Sequence, residues 1–360
     1  MQPVLMKKHL ILMAACALAA MALSCNPTNL NRKLKETGWP TDCTDRYMMG
    51  VSAPFCGVVE GTVLSAGGAN FPEIPAAYGG LKELYNEIYL LTQDGWISAG
   101  KLPFPSAYGG CVNIGGRLIA VGGSNGDKAI TNAFAFVINE NKVTTEALTP
   151  LPIGIEQAGY ACDDSTIYVA GGLTPSRLND KVYEGKVSGN EIIWSELASM
   201  PEKLVQPVAF HANGSLYLWG GFDPTSKTVS CKGWKLNKTT GEWTLLEERQ
   251  ETLTGATAVA LPDGRMAVVG GVDKDVFTYG MNAVREKKRM YMVMEPEKYR
   301  FNRTLRIFDP AEEKWAAYGE ADALALAGAG VAADTEGIYI IGGEIKPGIR
   351  TPRSWKLKLR

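Results

Sequence analysis

Histidine is scarce in this chain, and neither sign of charge is in excess. The 360 residues include 2 histidines, and 37 lysines and arginines stand against 38 aspartates and glutamates, a formal net charge of −1. So few histidines argue against a multi-histidine metal site. A nucleic-acid-binding protein would show a basic excess or patch, and none is visible, so no nucleic acid is expected as a partner. With 46% hydrophobic and 21% charged residues, the composition is that of an ordinary globular protein.

The cysteines form no metal-binding pattern, because none of the seven lies in a Cys-x-x-Cys pair. Cys43 and Cys56 are close in sequence and lie outside the repeats described below, so they are the best candidates for a disulfide in an exported protein. The remaining downstream cysteines lie in strand-like segments and are expected to be buried apolar residues: Cys111, Cys162 and Cys231.

The amino-terminal segment has the features of an export signal. Lys7 and Lys8 precede an apolar run over residues 10–23, which is long enough for a signal-peptide core and short for a membrane-spanning helix. The run ends in Ala-Leu-Ser-Cys at residues 22–25, which resembles a bacterial lipobox. We therefore expect residues 1–24 to be removed and Cys25 to be lipid-modified, which gives an exported, periplasmic protein that contacts the membrane only through this anchor. A plain secretory signal is the alternative.

Six strand-like apolar runs that end in Gly-Gly are the main internal repeat. Their first glycines are 55, 49, 49, 50 and 72 residues apart. A tight-turn dipeptide precedes each run, and a third strand-like run followed by a tryptophan comes after most of them. Four strands in about 50 residues are typical of a propeller blade, and the Gly-Gly plus Trp pattern resembles kelch repeats. The sequence therefore predicts an all-β fold, a six-bladed β-propeller; a β-sandwich with chance doublets is the alternative. The doublets are Gly67-Gly68, Gly122-Gly123, Gly171-Gly172, Gly220-Gly221, Gly270-Gly271 and Gly342-Gly343.

The last repeat is incomplete, since only one strand-like run, residues 354–359, follows its doublet. Residues 34–39 form a free piece of suitable length ahead of the first repeat. We expect them to pair with the carboxyl-terminal blade and close the ring, which also covers an exposed strand edge. The predicted organisation is a signal peptide at 1–24, a tether and closing strand at 25–50, and one propeller at 51–360.

The segments that follow the doublets are expected to share one face, and two of them are long: residues 69–85 and 272–300. Ring closure would bring both beside the segment after the sixth doublet. That segment alone begins with an acidic residue, Glu344, and carries Arg350 six residues later. From spacing alone, this pair is either an active site or an ion pair that stabilises the blade. The basic stretch at 285–289 is expected to be a solvated helix surface.

The segment around Glu344 closely resembles a motif of the bacterial sialic acid mutarotases, also called N-acetylneuraminate epimerases, which are kelch-type six-bladed propellers. Residues 66–72 and 299–302 match members of that family too, and the resemblance covers essentially all of residues 50–360. In the best-known members this motif lies in mid-chain, whereas here it is in the last blade. The chain therefore looks like a cyclically permuted branch of the family. The matching residues are Gly343, Glu344, Lys346, Pro347, Gly348, Arg350 and Thr351.

The resemblance implies a mutarotase that interconverts the α and β anomers of N-acetylneuraminic acid by opening and closing the sugar ring, with no cofactor. By motif match, Glu344 corresponds to the proton acceptor and Arg350 to its paired arginine, which can bind the carboxylate of the sugar. Lys346 is a further candidate for substrate binding. Asn70, Tyr299 and Asn302 are weaker candidates, for which hydrogen bonds that fix the loops are the alternative.

Two other functions were weighed against this one. A non-catalytic kelch propeller lipoprotein that binds a carbohydrate or a protein partner would share the fold without the chemistry. A copper radical oxidase on kelch-like blades needs two histidine ligands. After removal of the predicted signal peptide the chain would keep only His211, which argues against this function.

Overall fold

The computed structural model describes residues 27–246 and 248–359. Cys25 and the predicted signal peptide lie outside the described residues, so the predicted export and lipid anchor stay predictions. In the part of the chain that the structure describes, no helix is long and apolar enough to cross a membrane.

The regular secondary structure of the described residues consists mainly of short antiparallel strands. Strand β1 (Leu34–Glu36) precedes the first repeat. The first three repeats contain β2 (Phe55–Val59), β3 (Thr62–Ala66), β4 (Ala69–Asn70), β5 (Glu83–Leu84), β6 (Glu87–Thr92), β7 (Gly95–Lys101), β8 (Gly110–Ile114), β9 (Arg117–Val121), β10 (Ala133–Asn139), β11 (Lys142–Leu148), β12 (Gly159–Cys162), β13 (Thr166–Ala170), β14 (Val182–Ser188) and β15 (Glu191–Glu196).

The last three repeats contain the remaining strands and two helices. They are β16 (Val208–Ala212), β17 (Ser215–Trp219), β18 (Phe222–Asp223), β19 (Thr228–Val229), β20 (Gly233–Asn237), β21 (Glu242–Leu245), β22 (Ala256–Ala260), β23 (Met266–Gly270), α1 (Lys274–Asn282), α2 (Arg285–Met292), β24 (Thr304–Asp309), β25 (Lys314–Glu320), β26 (Gly330–Asp334), β27 (Gly337–Ile341), β28 (Glu344–Lys346), β29 (Ile349–Arg350) and β30 (Ser354–Leu357). Single 3-10 turns occur at Tyr47–Met49, Ala76–Tyr78, Pro296–Tyr299 and Asp322–Leu324.

Six four-stranded sheets form the blades, which confirms the predicted propeller. In chain order the blades are β2-β3-β6-β7, β8-β9-β10-β11, β12-β13-β14-β15, β16-β17-β20-β21, β22-β23-β24-β25 and β26-β27-β30-β1. The first strand of each blade packs against the first strand of the next, and β26 of blade six packs against β2 of blade one. The innermost strands therefore surround a central channel, and the ring is closed.

The ring closes through the amino-terminal strand, as predicted. Strand β1 pairs antiparallel with β30, with Leu34 opposite Leu357, and supplies the outermost strand of blade six. The strand is shorter than residues 34–39, because it ends before Gly38, whose backbone is left-handed at φ 77°. Leu34 and Leu357 are both buried in the apolar core of the last blades.

The glycine doublets stand where neighbouring blades approach most closely. A Cβ on Gly67 would lie 2.2 Å from the carbonyl oxygen of Ser106, which leads into blade two. A Cβ on Gly342 would lie 2.4 Å from the carbonyl oxygen of Val51, which leads into blade one. No real side chain tolerates such distances, so the repeat is a steric requirement of the fold. The same contact closes the ring between blades six and one.

The predicted Cys43–Cys56 disulfide is not formed, because both thiols are free. Cys56 lies in β2, inside blade one rather than ahead of the repeats. Cys43 interacts with Tyr89 of β6, two strands further out in the same blade, and donates to the carbonyl of Pro40 at 3.1 Å.

Candidate active site at the mouth of the channel

A small hairpin after the sixth doublet presents the predicted proton acceptor, Glu344, and its paired arginine, Arg350. In this hairpin, β28 and β29 pair antiparallel with Glu344 opposite Arg350. Its tight turn depends on Gly348, which has a left-handed backbone at φ 81° and sits so close to Ala76 that a Cβ would lie 2.5 Å from the Cβ of that residue. The backbone of Glu344 exchanges two hydrogen bonds with Ala327, at 2.8 and 2.9 Å, which fixes the base of the hairpin.

Glu344 and Arg350 form a direct ion pair. Nη2 of Arg350 lies 2.9 Å from Oε1 of Glu344, and Gly348 N–H donates to the same oxygen at 3.2 Å. The Glu344 side chain is 26% exposed, whereas that of Arg350 is 3% exposed. Among the hydrogen bonds of the described residues, none involves Oε2 of Glu344, so this oxygen remains able to accept a proton.

Arg350 is held rigidly by its surroundings. Its Nε donates to Oγ of Ser52 and to the carbonyl of Ala69, both at 3.1 Å, and its guanidinium lies 4.9 Å from the ring centre of Phe71. Its Nη1 has no hydrogen-bond partner among the described residues although it is buried. Buried donors without a partner are rare in folded proteins. The site therefore holds an unsatisfied donor on a guanidinium that its neighbours fix in place.

A cavity of about 500 Å³ opens beside the ion pair at the mouth of the channel. Glu344 and Arg350 line it, together with Phe71 and Ala76 from the long segment of blade one and Tyr291 from helix α2 of the long segment of blade five. The predicted assembly of these three segments on one face is therefore confirmed. A volume of this size is typical of small-molecule sites.

Two lysines that sequence reasoning did not single out line the same cavity. Nζ of Lys82 lies 4.6 Å from the ring centre of Tyr108. Lys288 of α2 turns its Nζ inward to the carbonyl of Gly280 at 2.7 Å, where partial burial and the charge of Lys227 lower its pKa. Residues 285–289 are all exposed, as expected of a solvated helix surface, although Lys288 also contacts the cavity. Three cations and one carboxylate line the described part of the cavity, which favours an anionic ligand.

Four predicted contact residues do not line this cavity. Lys346 turns away and donates to the carbonyl of Met294 at 3.1 Å. Asn70 is buried and uses its side chain to bond the carbonyls of Arg46 and Gly50, at 2.8 and 2.9 Å, and the hydroxyl of Tyr85.

The other two of these residues stabilise the long segment of blade five. The hydroxyl of Tyr299 donates to the carbonyl of Tyr291, and Asn302 bonds the carbonyl of Gly270 at 3.1 Å. Asn70, Tyr299 and Asn302 thus make the loop-fixing hydrogen bonds that were the alternative interpretation.

The chain is similar to known proteins in sequence and in fold. A family model described as N-acetylneuraminate epimerase matches residues 149–360. Curated N-acetylneuraminate epimerases similar to this chain include those of Escherichia coli O139:H28 (26% identity; 64% of this chain, 65% of the relative) and Brucella melitensis (27%; 61% and 60%). Another comes from Pasteurella multocida (30% identity; 56% of each chain).

A solved structure described as "Structure of YjhT" is 26% identical, with a TM-score of 0.50 over 57% of this chain and 61% of that one. The alignments with the three curated relatives above span 56% to 65% of those proteins. Since the family model matches more than half of the chain, and the match includes the Glu344–Arg350 hairpin, the protein belongs to the N-acetylneuraminate epimerase family.

Proposed function

We propose that this protein is a sialic acid mutarotase, which accelerates the exchange between the α and β anomers of N-acetylneuraminic acid. The observation that carries the proposal is the Glu344–Arg350 pair in the cavity, with a rigid guanidinium that keeps one buried donor unused. The names of the related proteins support the choice of sugar.

The reaction needs one base and one acid. Oε2 of Glu344 takes the proton of the anomeric hydroxyl, the electron pair of that O–H bond forms the carbonyl, and the bond between the anomeric carbon and the ring oxygen breaks. The ring oxygen takes a proton from an acid, which gives the open-chain keto acid. Rotation about the adjacent carbon–carbon bond and the reverse steps close the ring on the opposite face of the carbonyl, so no atom is gained or lost.

Arg350 holds the substrate carboxylate during these steps. The carboxylate is attached to the reacting carbon, so a donor that binds it also places the anomeric hydroxyl near Glu344. Arg350 contacts the Glu344 carboxylate at 2.9 Å and offers Nη1 as a further donor. The fork shape of a guanidinium suits two parallel bonds to a carboxylate, which a lysine cannot reproduce.

We assign the acid to Lys288, which lines the cavity and has a lowered pKa. A lysine with a lowered pKa releases its proton more readily near neutral pH than an ordinary lysine does. Its neighbour Tyr291, whose ring centre lies 5.3 Å from Nζ, is also electrostatically coupled to Glu344. This supports placing the acid and the base around one bound sugar.

The test is proton NMR of α-N-acetylneuraminate released in the tube by a sialidase, with and without the protein. Wild type should shorten the lifetime of the α anomer. Glu344→Gln should lower kcat about 10²- to 10⁴-fold with little change in KM, since it removes the base and keeps the shape. Glu336→Gln is the matched control, because exposed Glu336 lies on the same blade, in the turn between β26 and β27, where it pairs with Lys356. An unaccelerated wild type refutes the function, and an undiminished Glu344→Gln refutes the role of Glu344.

A further inference from the structure

Six equivalent residues line the wall of the cavity, one from each blade. Each comes one or two positions before the innermost strand of its blade and has a left-handed backbone. They are Ala53 (φ 54°), Tyr108 (φ 64°), Gln157 (φ 56°), Gln206 (φ 55°), Gly255 (φ 71°) and Gly328 (φ 60°). We name this set the channel ring.

Backbone hydrogen bonds join the channel ring from blade to blade. In five of the six members the N–H donates to the carbonyl of the member before it, as from Gln157 to Tyr108 at 2.8 Å and from Gln206 to Gln157 at 2.7 Å; Gly255 is the exception among the described hydrogen bonds. The bond from Ala53 to Gly328, at 2.7 Å, continues this pattern across the closure of the ring. The conformation of these residues is thus fixed by main-chain contacts that any residue can make.

The side chains of the channel ring are not needed for its backbone. Glycine fills the position in blades five and six, where a left-handed φ costs it little. For other residues this conformation costs about 1–2 kcal/mol. Glutamine nevertheless stands at the two neighbouring positions of blades three and four. Strained residues of this kind point to a use of the side chain rather than to a need of the fold.

The two glutamine amides are joined by a hydrogen bond. Nε2 of Gln206 donates to Oε1 of Gln157 at 2.8 Å. Because this bond uses an N–H of the Gln206 amide, it leaves Oε1 of Gln206 as an acceptor.

Gln157 and Gln206 lie across the channel from the ion pair. In a closed ring of six blades, blade three stands directly opposite blade six, which carries Glu344 and Arg350. All four side chains line the same cavity of about 500 Å³. A ligand whose carboxylate is held at Arg350 therefore extends over the channel mouth toward the glutamines.

We propose that Gln157 and Gln206 form a second recognition site, which binds hydroxyl groups on the side chain of the sugar acid at the end remote from its carboxylate. Oε1 of Gln206 accepts from a hydroxyl, and Gln157 holds that amide in place. The cavity thus selects sugar acids with a long hydroxylated side chain over those in which this side chain is shortened. This inference rests on the proposed function, because it takes Arg350 as the carboxylate site.

The test compares N-acetylneuraminate with its seven-carbon analogue, in which the side chain is two carbons shorter. Gln206→Gly keeps the left-handed backbone, as Gly255 shows, and removes the acceptor. We expect KM and the calorimetric Kd of the full-length sugar to rise about tenfold with kcat little changed. The shortened sugar should bind wild type about tenfold more weakly, and Gln206→Gly should not weaken it further. Glu60→Gly is the matched control, since Glu60 is also left-handed but lies in the turn between β2 and β3.

The outcomes separate this inference from the proposed function. An equal effect of Gln206→Gly on both sugars, or no effect on either, overturns the inference while leaving mutarotation intact. If wild type does not accelerate anomer exchange, the proposed function falls, and the two Kd values then decide the inference alone. A wild-type preference for the longer side chain that is lost in Gln206→Gly supports it. Equal binding of the two sugars, or no binding, overturns it.

Discussion

Ser354 joins three parts of the chain that are far apart in sequence, and its removal tests how the ring is closed. The residue begins β30 and is 1% exposed. Its Oγ accepts from the indole Nε1 of Trp96 at 2.9 Å and donates to the carbonyl of Gly38 at 2.6 Å. The hydroxyl of Thr37 lies 2.7 Å away. One hydroxyl thus connects blade six, blade one and the amino-terminal segment.

The cost of Ser354→Ala follows from the partners it leaves behind. The indole N–H of Trp96, a residue only 7% exposed, loses its acceptor, which costs about 1–3 kcal/mol. Water can reach the partly buried partners in the amino-terminal segment, so they add about 1 kcal/mol together. The sum is about 2–4 kcal/mol. With an unfolding entropy of about 2.1 cal/mol/K per residue over residues 27–359, Tm should fall by about 3–6 °C.

The measurement is thermal unfolding followed by circular dichroism, with urea unfolding as a second measure of stability. Ser226→Ala is the matched control, because Ser226 is exposed and bonds the hydroxyl of Thr228 at 2.8 Å. It should shift Tm by less than about 1 °C. If Ser354→Ala has the same small effect as the control, the hydroxyl does not stabilise the closure and the reasoning is refuted.

Two further predictions concern the charged groups of the cavity. Arg350→Lys keeps the charge but not the fork of donors, so kcat/KM for N-acetylneuraminate should fall about 10²-fold or more. The control Arg353→Lys, which changes an exposed arginine nearby, should be close to wild type. Equal activity of the two variants would contradict carboxylate binding by Arg350. Lys288 acts as an acid only while protonated, and its pKa is lowered, so kcat should begin to fall at a lower pH than an ordinary lysine would allow. Lys288→Met should lower kcat and abolish this alkaline decrease, whereas the control Lys287→Met should do neither. An unchanged pH profile of kcat in Lys288→Met would exclude Lys288 as the acid.

The number and order of the blades were predictable because they depend on local patterns. Each doublet follows from a close approach that recurs in every blade, as at Gly67 and Gly342, so the same residues recur in the sequence. The missing strand of blade six was predictable from a simple count of strands. The family model matches only residues 149–360. A cyclic permutation would have this effect, since a comparison that keeps the residues in order can match the chain only up to the point where the order of blades changes.

The contact residues were less predictable, because a motif shows which residues are near each other but not where each side chain points. Lys346 lies between Glu344 and Arg350 in sequence, yet the pleat of β28 and the path of the blade-five segment direct it to Met294. The disulfide prediction failed for a related reason, since closeness in sequence does not fix where a thiol lies. The Cys43 thiol donates to the carbonyl of Pro40, and Cys56 lies in β2 of blade one.

The sequence by itself determined the blades, the closure by the amino-terminal strand and the place of the Glu344–Arg350 pair, since each depends on spacing along the chain. Only the tertiary structure decided which other side chains share the cavity. Lys82, Lys288 and the two glutamines of the channel ring come from blades far apart in sequence, and each lies in a segment whose local pattern does not mark it. They meet because the ring closes, and the backbone bonds that fix the channel ring exist only between neighbouring blades.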